Sequence, residues 1–139
     1  MLQCYRGEPE ESPDLSTYSL YTQLVFHCFD LVGCPQEMLN THPTINKIYY
    51  MVMMGVDEKY RGRGIAGKLI DKCLDIARLA GCDGAYVTAT SGITRRIFGK
   101  RGMDEVRGVE WDKIEFKGKL LCVGKDFGSD KISSHFIKL

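Results

Sequence analysis

An α/β (α+β) fold is the class this sequence predicts, and three observations predict it. The apolar residues switch between a period near 3.6 and a period of 2 several times along the chain, which marks helices interleaved with strands. A run of buried-strand character passes through a glycine-rich turn into an amphipathic helix and then into an alternating segment, the pattern of a crossover unit with parallel strands. Finally, 139 residues of which 44% are apolar suffice for one core without metals or disulfide staples. A single domain over 1–139 follows.

Each element has its own signal. Residues 1–15 carry Glu8, Glu10, Glu11, Asp14, Pro9 and Pro13 with neither hydrophobic period, so they read as a loop or arm. From about Ser16, the positions Leu20, Leu24, Cys28 and Val32, with Tyr21, Val25 and Phe29, stripe one face of a helix that Gly33 and Pro35 end. Asn40 to Pro43 is turn-like. Ile45 to Val56 is rich in Ile, Val, Tyr and Met with no charge after Lys47, and reads as a strand buried on both faces. Past the charged turn Asp57 to Arg63, a second helix sets Ile65, Ala66, Leu69, Ile70, Cys73, Leu74, Ala77 and Ala80 on one side, with Gly81 as its left-handed stop. Ala85, Val87 and Ala89 alternate with Tyr86, Thr88 and Thr90 in the next strand. Thr94 to Lys100 is a short helix stopped by Gly102, and Val106 to Phe116 and Ile132 to Leu139 are two further strands.

Composition narrows the partners. Lys and Arg total 19 against 18 for Asp and Glu, so no global field gathers nucleic acid or an anionic membrane, and neither is expected as a partner. No apolar run approaches the roughly 20 residues of a spanning helix, and the N-terminus lacks a signal-peptide pattern, so the protein is expected to be soluble and cytoplasmic. The six cysteines are spread singly, without Cys-x-x-Cys pairs, so no metal is expected; His27 beside Cys28 reads as a half-exposed His next to a buried Cys.

The most informative segment is Tyr60-Arg61-Gly62-Arg63-Gly64-Ile65-Ala66-Gly67-Lys68-Leu69. Gly62, Gly64 and Gly67 let the main chain come close to a bulky anion, the helix starting near Ile65 adds its positive end, and Arg61 and Arg63 bring guanidinium forks. A diphosphate suits all three features. The plain alternative is a strand-to-helix connection with solvated arginines. Gly62-x-Gly64-x-x-Gly67 also satisfies the dinucleotide fingerprint, but the following strand ends at Ala89-Thr90 without the carboxylate that would hold a ribose. Gly62 to Lys68 matches the nucleoside-triphosphate loop until Leu69, which stands where a hydroxyl must meet magnesium.

Arg61-x-x-Gly64-x-Ala66 resembles the coenzyme A signature of the GNAT N-acetyltransferase superfamily, Gln or Arg-x-x-Gly-x-Gly or Ala. Val56 to Gly67, Ala89-Thr90-Ser91 and Thr94 to Met103 look like the arylalkylamine N-acetyltransferases of the insect dopamine-acetylating type. The likeness runs over about residues 18–139 and is densest between 55 and 104. It implies the GNAT acyl-CoA N-acyltransferase fold, a mixed central sheet with two splayed parallel strands flanked by helices, truncated at its N-terminal side relative to the family. Residues 45–104 would then be the acetyl-CoA-binding core.

The resemblance also implies an enzyme that transfers acetyl from acetyl-CoA to a small primary amine such as dopamine, serotonin or tryptamine. Met54, Gly55 and Val56 would meet the pantetheine and thioester; Arg61, Gly62, Arg63, Gly64, Ile65, Ala66 and Gly67 would hold the diphosphate; Arg96, in the basic group Arg95-Arg96 and Lys100-Arg101, would meet the ribose 3′-phosphate unless that group is simply solvated. Many relatives protonate the departing thiolate from a Tyr where this chain has Phe98. Thr90, Ser91 and Thr94 match the hydroxyl cluster assigned catalytic roles in the insect enzymes, with helix capping as the other role open to Ser91. The family's Glu base has no counterpart in this sequence, so a catalytically silent domain that binds coenzyme A or a partner chain is a competing expectation, and a nucleotide-binding domain of the P-loop-like or dinucleotide kind, drawn from the overlapping glycines, is a third. Tyr49, Tyr50, Met51, Met53 and Met54 either line an amine pocket or pack in the core, which is the reading favoured for the Met residues; Trp111 either walls the acceptor site or anchors a strand. A sheet lacking its first strands would expose an apolar edge, which predicts a homodimer through that edge unless Met1 to Leu15 covers it.

Overall fold

The computed structural model describes residues 2–8, 14–121 and 129–139. In chain order its elements are β1 (Leu2–Tyr5), α1 (Leu20–Leu31), α2 (Pro35–Thr41), β2 (Lys47–Met51), α3 (Ile65–Leu79), β3 (Gly84–Ala89), α4 (Gly92–Gly99), β4 (Asp104–Glu110), β5 (Glu115–Phe116), β6 (Lys119–Leu120) and β7 (Lys131–Lys138). Five strands form one mixed sheet in the order β1-β2-β3-β7-β4, and β5 with β6 makes a separate hairpin. β2 and β3 run parallel, joined by the crossover helix α3, while every other pairing is antiparallel.

The helices start and stop where local chemistry dictates. Ser19 Oγ accepts from Thr22 N to begin α1, and Gly33 leaves its end at φ +85°. α3 closes with two bonds, Gly81 N to Arg78 O at 3.0 Å and Cys82 N to Ala77 O at 3.0 Å, a Schellman pattern made possible by Gly81 at φ +66°. The same pair recurs after α4, from Gly102 N to Gly99 O and from Met103 N to Phe98 O. Strand alternation then divides the core. Tyr49, Met51, Ala85 and Val87 face α3 and α4, meeting Ile70, Leu74 and Phe98; Ile48 and Tyr86 face the other way, toward Leu39 of α2. α1 packs through Cys28 and Val32 on Ile114 and Ile132. Each large apolar side chain so buried contributes about 1.5–3 kcal/mol.

Four sequence expectations need correction. Residues 1–15 are not all loop: Leu2–Tyr5 is a strand antiparallel to Lys47–Tyr50. It is too short and too exposed to show a period, and is held instead by pairing and by Arg6, whose guanidinium donates to His42 O at 2.6 Å and to Ile45 O. It therefore covers the β2 edge that the sequence reading left open. Asn40 to Pro43 is only partly a turn, because Pro35–Thr41 is helical, with Pro35 in the first turn where its missing N–H costs nothing. The strand expected to Val56 stops at Met51. The strand expected over 106–116 breaks at Trp111, where a single 3-10 turn intervenes before the β5–β6 hairpin.

Candidate active site

The early end of β2 creates the site. β3 stays paired with β2 only from Ile48↔Gly84 to Met51↔Val87, then continues alone along β7 through Ala89. Val52 onward leaves the sheet, and the two parallel strands part. The chain then makes a 3-10 turn at Glu58–Tyr60, capped by Asp57 Oδ1 accepting from Lys59 N, and reaches the glycine-rich bend.

Gly62 and Gly64 adopt φ +76° and +72°, a left-handed conformation that costs a side-chain-bearing residue roughly 1–2 kcal/mol. Gly64 is the N-cap of α3 and supplies no side-chain oxygen. The N–H groups of Ile65, Ala66 and Gly67 have no carbonyl within their own helix, so they and the helix dipole face outward at an exposed bend. Arg61 Nε donates back to Val56 O at 3.4 Å, tying the bend to the departing strand. Lys59 Nζ and Arg63 Cζ lie 5.0 and 5.5 Å from the Tyr60 ring centroid, which gathers positive charge on the same surface. Gly67 is different. A Cβ there would lie 2.6 Å from Arg101 Nη2, so its glycine accommodates a neighbouring side chain rather than a strained main chain.

Beside this bend lies a cleft of about 550 Å³. Met51 to Gly55 form one wall, Leu69, Ile70 and Cys73 of α3 a second, and Val87, Thr88 and Thr90 the strand that stays behind; Thr94 and Phe98 of α4 and Phe29 of α1 complete it. Val87 and Ile70 belong to one face of the sheet, whereas Thr88 and Phe29 belong to the other. The cleft thus passes through the sheet where β2 and β3 separate. Its polar groups are main chain, three Thr hydroxyls and one thiol, and burial pushes the Cys73 thiol above its usual range. No carboxylate, amine or imidazole lines it among the described residues.

The structure sorts the candidates from sequence. Thr90, Thr94, Met54 and Gly55 line the cleft, and Val56 sits at its rim as the acceptor for Arg61. Ser91 stands one step back: its Oγ caps α4 by accepting from Thr94 N at 3.2 Å and lies 2.6 Å from Thr94 Oγ1. The basic group is divided. Arg95 pairs with Asp130 and Arg101 with Asp71, while Arg96 is exposed with its Nε 3.4 Å from Gly92 O. Core packing fails for two of the methionines, since Met53 is 93% and Met54 38% exposed at the cleft. Tyr49 and Tyr50 pack instead against the two cores, and Trp111 packs with the α1 cluster. Phe98 is buried, its ring 5.7 Å from that of His135, whose Nε2 is 3.0 Å from Ser133 Oγ. Sequence reasoning missed Phe29, Ile70 and Cys73 as cleft residues, because in a helical stripe they look like any other core position.

Comparison with known proteins agrees with this geometry. The chain is similar to the crystal structure of arylalkylamine N-acetyltransferase 2 from Aedes aegypti (TM-score 0.75, 18% identity), covering 98% of this chain and 64% of that one. It is similar to the Drosophila melanogaster polyamine N-acetyltransferase that catalyses the formation of N-acetylagmatine (TM-score 0.68, 18% identity), covering 83% and 55%. A third likeness is to the NatC complex bound to Gag peptide and CoA (TM-score 0.52, 17% identity), over 70% and 55%. The chain therefore spans less than two thirds of the length of each. No curated protein sequence matches it. These likenesses establish the fold, and the sequence pattern of the acetyltransferase (GNAT) family matches residues 31–103, which include the parted strands and the whole glycine bend. That match extends over more than half of the chain, which accordingly belongs to the acetyltransferase (GNAT) family.

Proposed function

We propose that the chain transfers acetyl from acetyl-CoA to a small primary amine of the arylalkylamine kind, by direct attack in a ternary complex. One observation carries the reading: an exposed, glycine-capped helix N-terminus, with Lys59 and Arg63 gathered at Tyr60 and Arg61 on the same bend, begins the helix whose Leu69, Ile70 and Cys73 line a cleft between two parted parallel strands. The diphosphate of the coenzyme takes the N–H groups of the Arg61 to Gly67 bend, where charge, dipole and donors coincide. The pantetheine arm follows the main chain of Met54, Gly55 and Val56, which β3 no longer occupies, and Arg96 remains the candidate for the ribose 3′-phosphate. The amine enters from the Phe29 side of the sheet.

The chemistry then needs three things. The amine must lose a proton so that its nitrogen lone pair can form the C–N bond; the thioester oxygen must be held while it carries negative charge; and the sulfur must take a proton as the C–S bond breaks. Main-chain N–H groups at Gly55 or Val56 suit the second task, and the Thr90, Ser91 and Thr94 hydroxyls the third. The apolar walls from Phe29, Met51 and Met53 favour an aromatic acceptor over a dication, because nothing charged lines the cleft among the described residues. Arylalkylamine N-acetyltransferase 2 is among the similar structures, alongside polyamine and agmatine N-acetyltransferases.

Calorimetric titration with acetyl-CoA, together with a thiol-release assay over an amine panel, tests the proposal. Binding is expected for the native chain and lost in Arg61→Ala and Gly64→Val, the latter because Val is excluded from φ +72°. A competing reading, a silent coenzyme-binding domain, is favoured by Phe98 and by the absence of a base among the cleft-lining residues described. Binding without thiol release on any amine would select it.

A further inference from the structure

Arg101 follows α4 in sequence yet spends its side chain on α3. Its Nε and Nη2 donate to the two Asp71 carboxylate oxygens at 2.6 and 2.9 Å, a fork-to-fork pair, and its Nη1 donates to Ile97 O at 3.2 Å in the last turn of α4. The same guanidinium occupies the space that a side chain at Gly67 would need. Gly67 belongs to the first turn of α3, whose N–H groups form the anion-binding end, and glycine is among the poorest residues for a helix interior. Its φ is not left-handed, and the atom nearest a Cβ placed here is the guanidinium lying on it. A cation beside the positive end of a helix is unfavourable by itself. Asp71 offsets that charge, and Arg101 in turn holds the Asp71 carboxyl below the usual carboxylate range.

We propose that Arg101 is a positioning residue for the coenzyme site, acting through Asp71 and Gly67 to fix the first turns of α3 against α4. Those two helices are facing walls of the cleft, with Ile70 and Cys73 on one and Thr94 and Phe98 on the other. Without the clamp their spacing drifts, and the diphosphate end loses its register with the thioester end. This inference rests on the acetyl-CoA reading above, and the test separates the two.

Acetyl-CoA is titrated calorimetrically into the native chain, Arg101→Met, Arg101→Lys, Gly67→Ala and the double variant Gly67→Ala/Arg101→Met, with a thermal melt of each. Arg101→Met is expected to weaken binding a few-fold, a modest loss because the Asp71 side of the pair is half-exposed, and Arg101→Lys to restore part of it. Gly67→Ala, which improves helix propensity, is expected to weaken binding by displacing the guanidinium, but to cost nothing further once Arg101 is gone. Because residues in contact also couple through stability, the dependence counts for the clamp only where it appears in the binding constant with melting temperatures unchanged; coupling confined to the melts overturns it. Equal weakening by Gly67→Ala in both backgrounds overturns the clamp, as does native affinity in Arg101→Met. Failure of the native chain to bind acetyl-CoA overturns the functional reading itself, and the clamp with it.

Discussion

Ser91 Oγ and Thr94 Oγ1 lie 2.6 Å apart at the start of α4, and the Ser91 oxygen also accepts from Thr94 N. Only Thr94 of this pair reaches the cleft. The two hydroxyls are therefore separable by experiment. Ser91→Ala removes a helix cap and is expected to lower stability by about 1 kcal/mol, read as a fall in Tm, with a secondary loss of activity. Thr94→Val keeps shape and cap and is expected to lower kcat by roughly 10²-fold if its hydroxyl protonates the thiolate, with Tm nearly unchanged. Normal turnover in Thr94→Val would remove that residue from the chemistry.

Phe98 lines the cleft at the place where the resemblance set out above implies a tyrosine. A hydroxyl added there must point into the cleft or lose its hydration in the core, since the ring is only 2% exposed. Phe98→Tyr is expected to raise kcat about tenfold or more if thiolate protonation limits the reaction. The checking measurement is single-turnover thiol release in both forms; an unchanged rate constant would show that the proton already arrives by another route.

His135 supplies the pH dependence. It is 4% exposed, and burial pulls its pKa below the ordinary 6.5, with Arg95 and Lys131 adding to the shift while Glu105 opposes it. The unfolded chain thus takes up this proton before the folded one does. Stability is full above about pH 6.5 and declines as pH falls from there toward the lower folded-state value, by at most about 1.4 kcal/mol per pH unit. Asp71 and Asp130, held below the usual range by Arg101 and Arg95, lose their contribution only as pH falls below about 3.8. Urea melts at pH 7.5 and 5.5 should differ for the native chain and converge for His135→Gln; an undiminished difference would place the titration elsewhere.

The strand β1 guards the edge of β2. Deleting Leu2–Glu8 bares the polar main chain of Lys47–Tyr50 and removes the Arg6 bonds to the 42–46 segment. The shortened chain is expected to melt lower and to elute as larger species on size exclusion than the intact chain. Identical elution profiles would mean that the edge needs no cover.

What the sequence foretold depended on where the controlling information lies. α3 and its Gly81 stop, β3 and β7 were legible because their periods and breakers sit within each segment. The glycine bend was legible for the same reason: left-handed Gly62 and Gly64 advertise their conformations locally. β1 was not, because its four residues are ordered by Lys47–Tyr50 and by Arg6 rather than by any pattern of their own. Met53 and Met54 misled because an apolar run looks alike whether it continues a buried strand or leaves the sheet to line a cleft. The contact at Gly67 was hidden for another reason, since Arg101, which lies on it, is 34 positions along the chain.

The parting of β2 from β3 also divides the molecule mechanically. β1 with β2 is one leaf and β3 with β7 and β4 another, and between them run the residue pairs from Ile48↔Gly84 to Met51↔Val87, closed at the base by the bonds of Asp83 to Asn46 and Lys47. A guest seated in that fork would be a clasp across the seam as well as a reactant. Amides of the β1–β2 leaf should accordingly exchange with solvent sooner than those of β3 and β7 while the fork is empty, and slow most when it is filled.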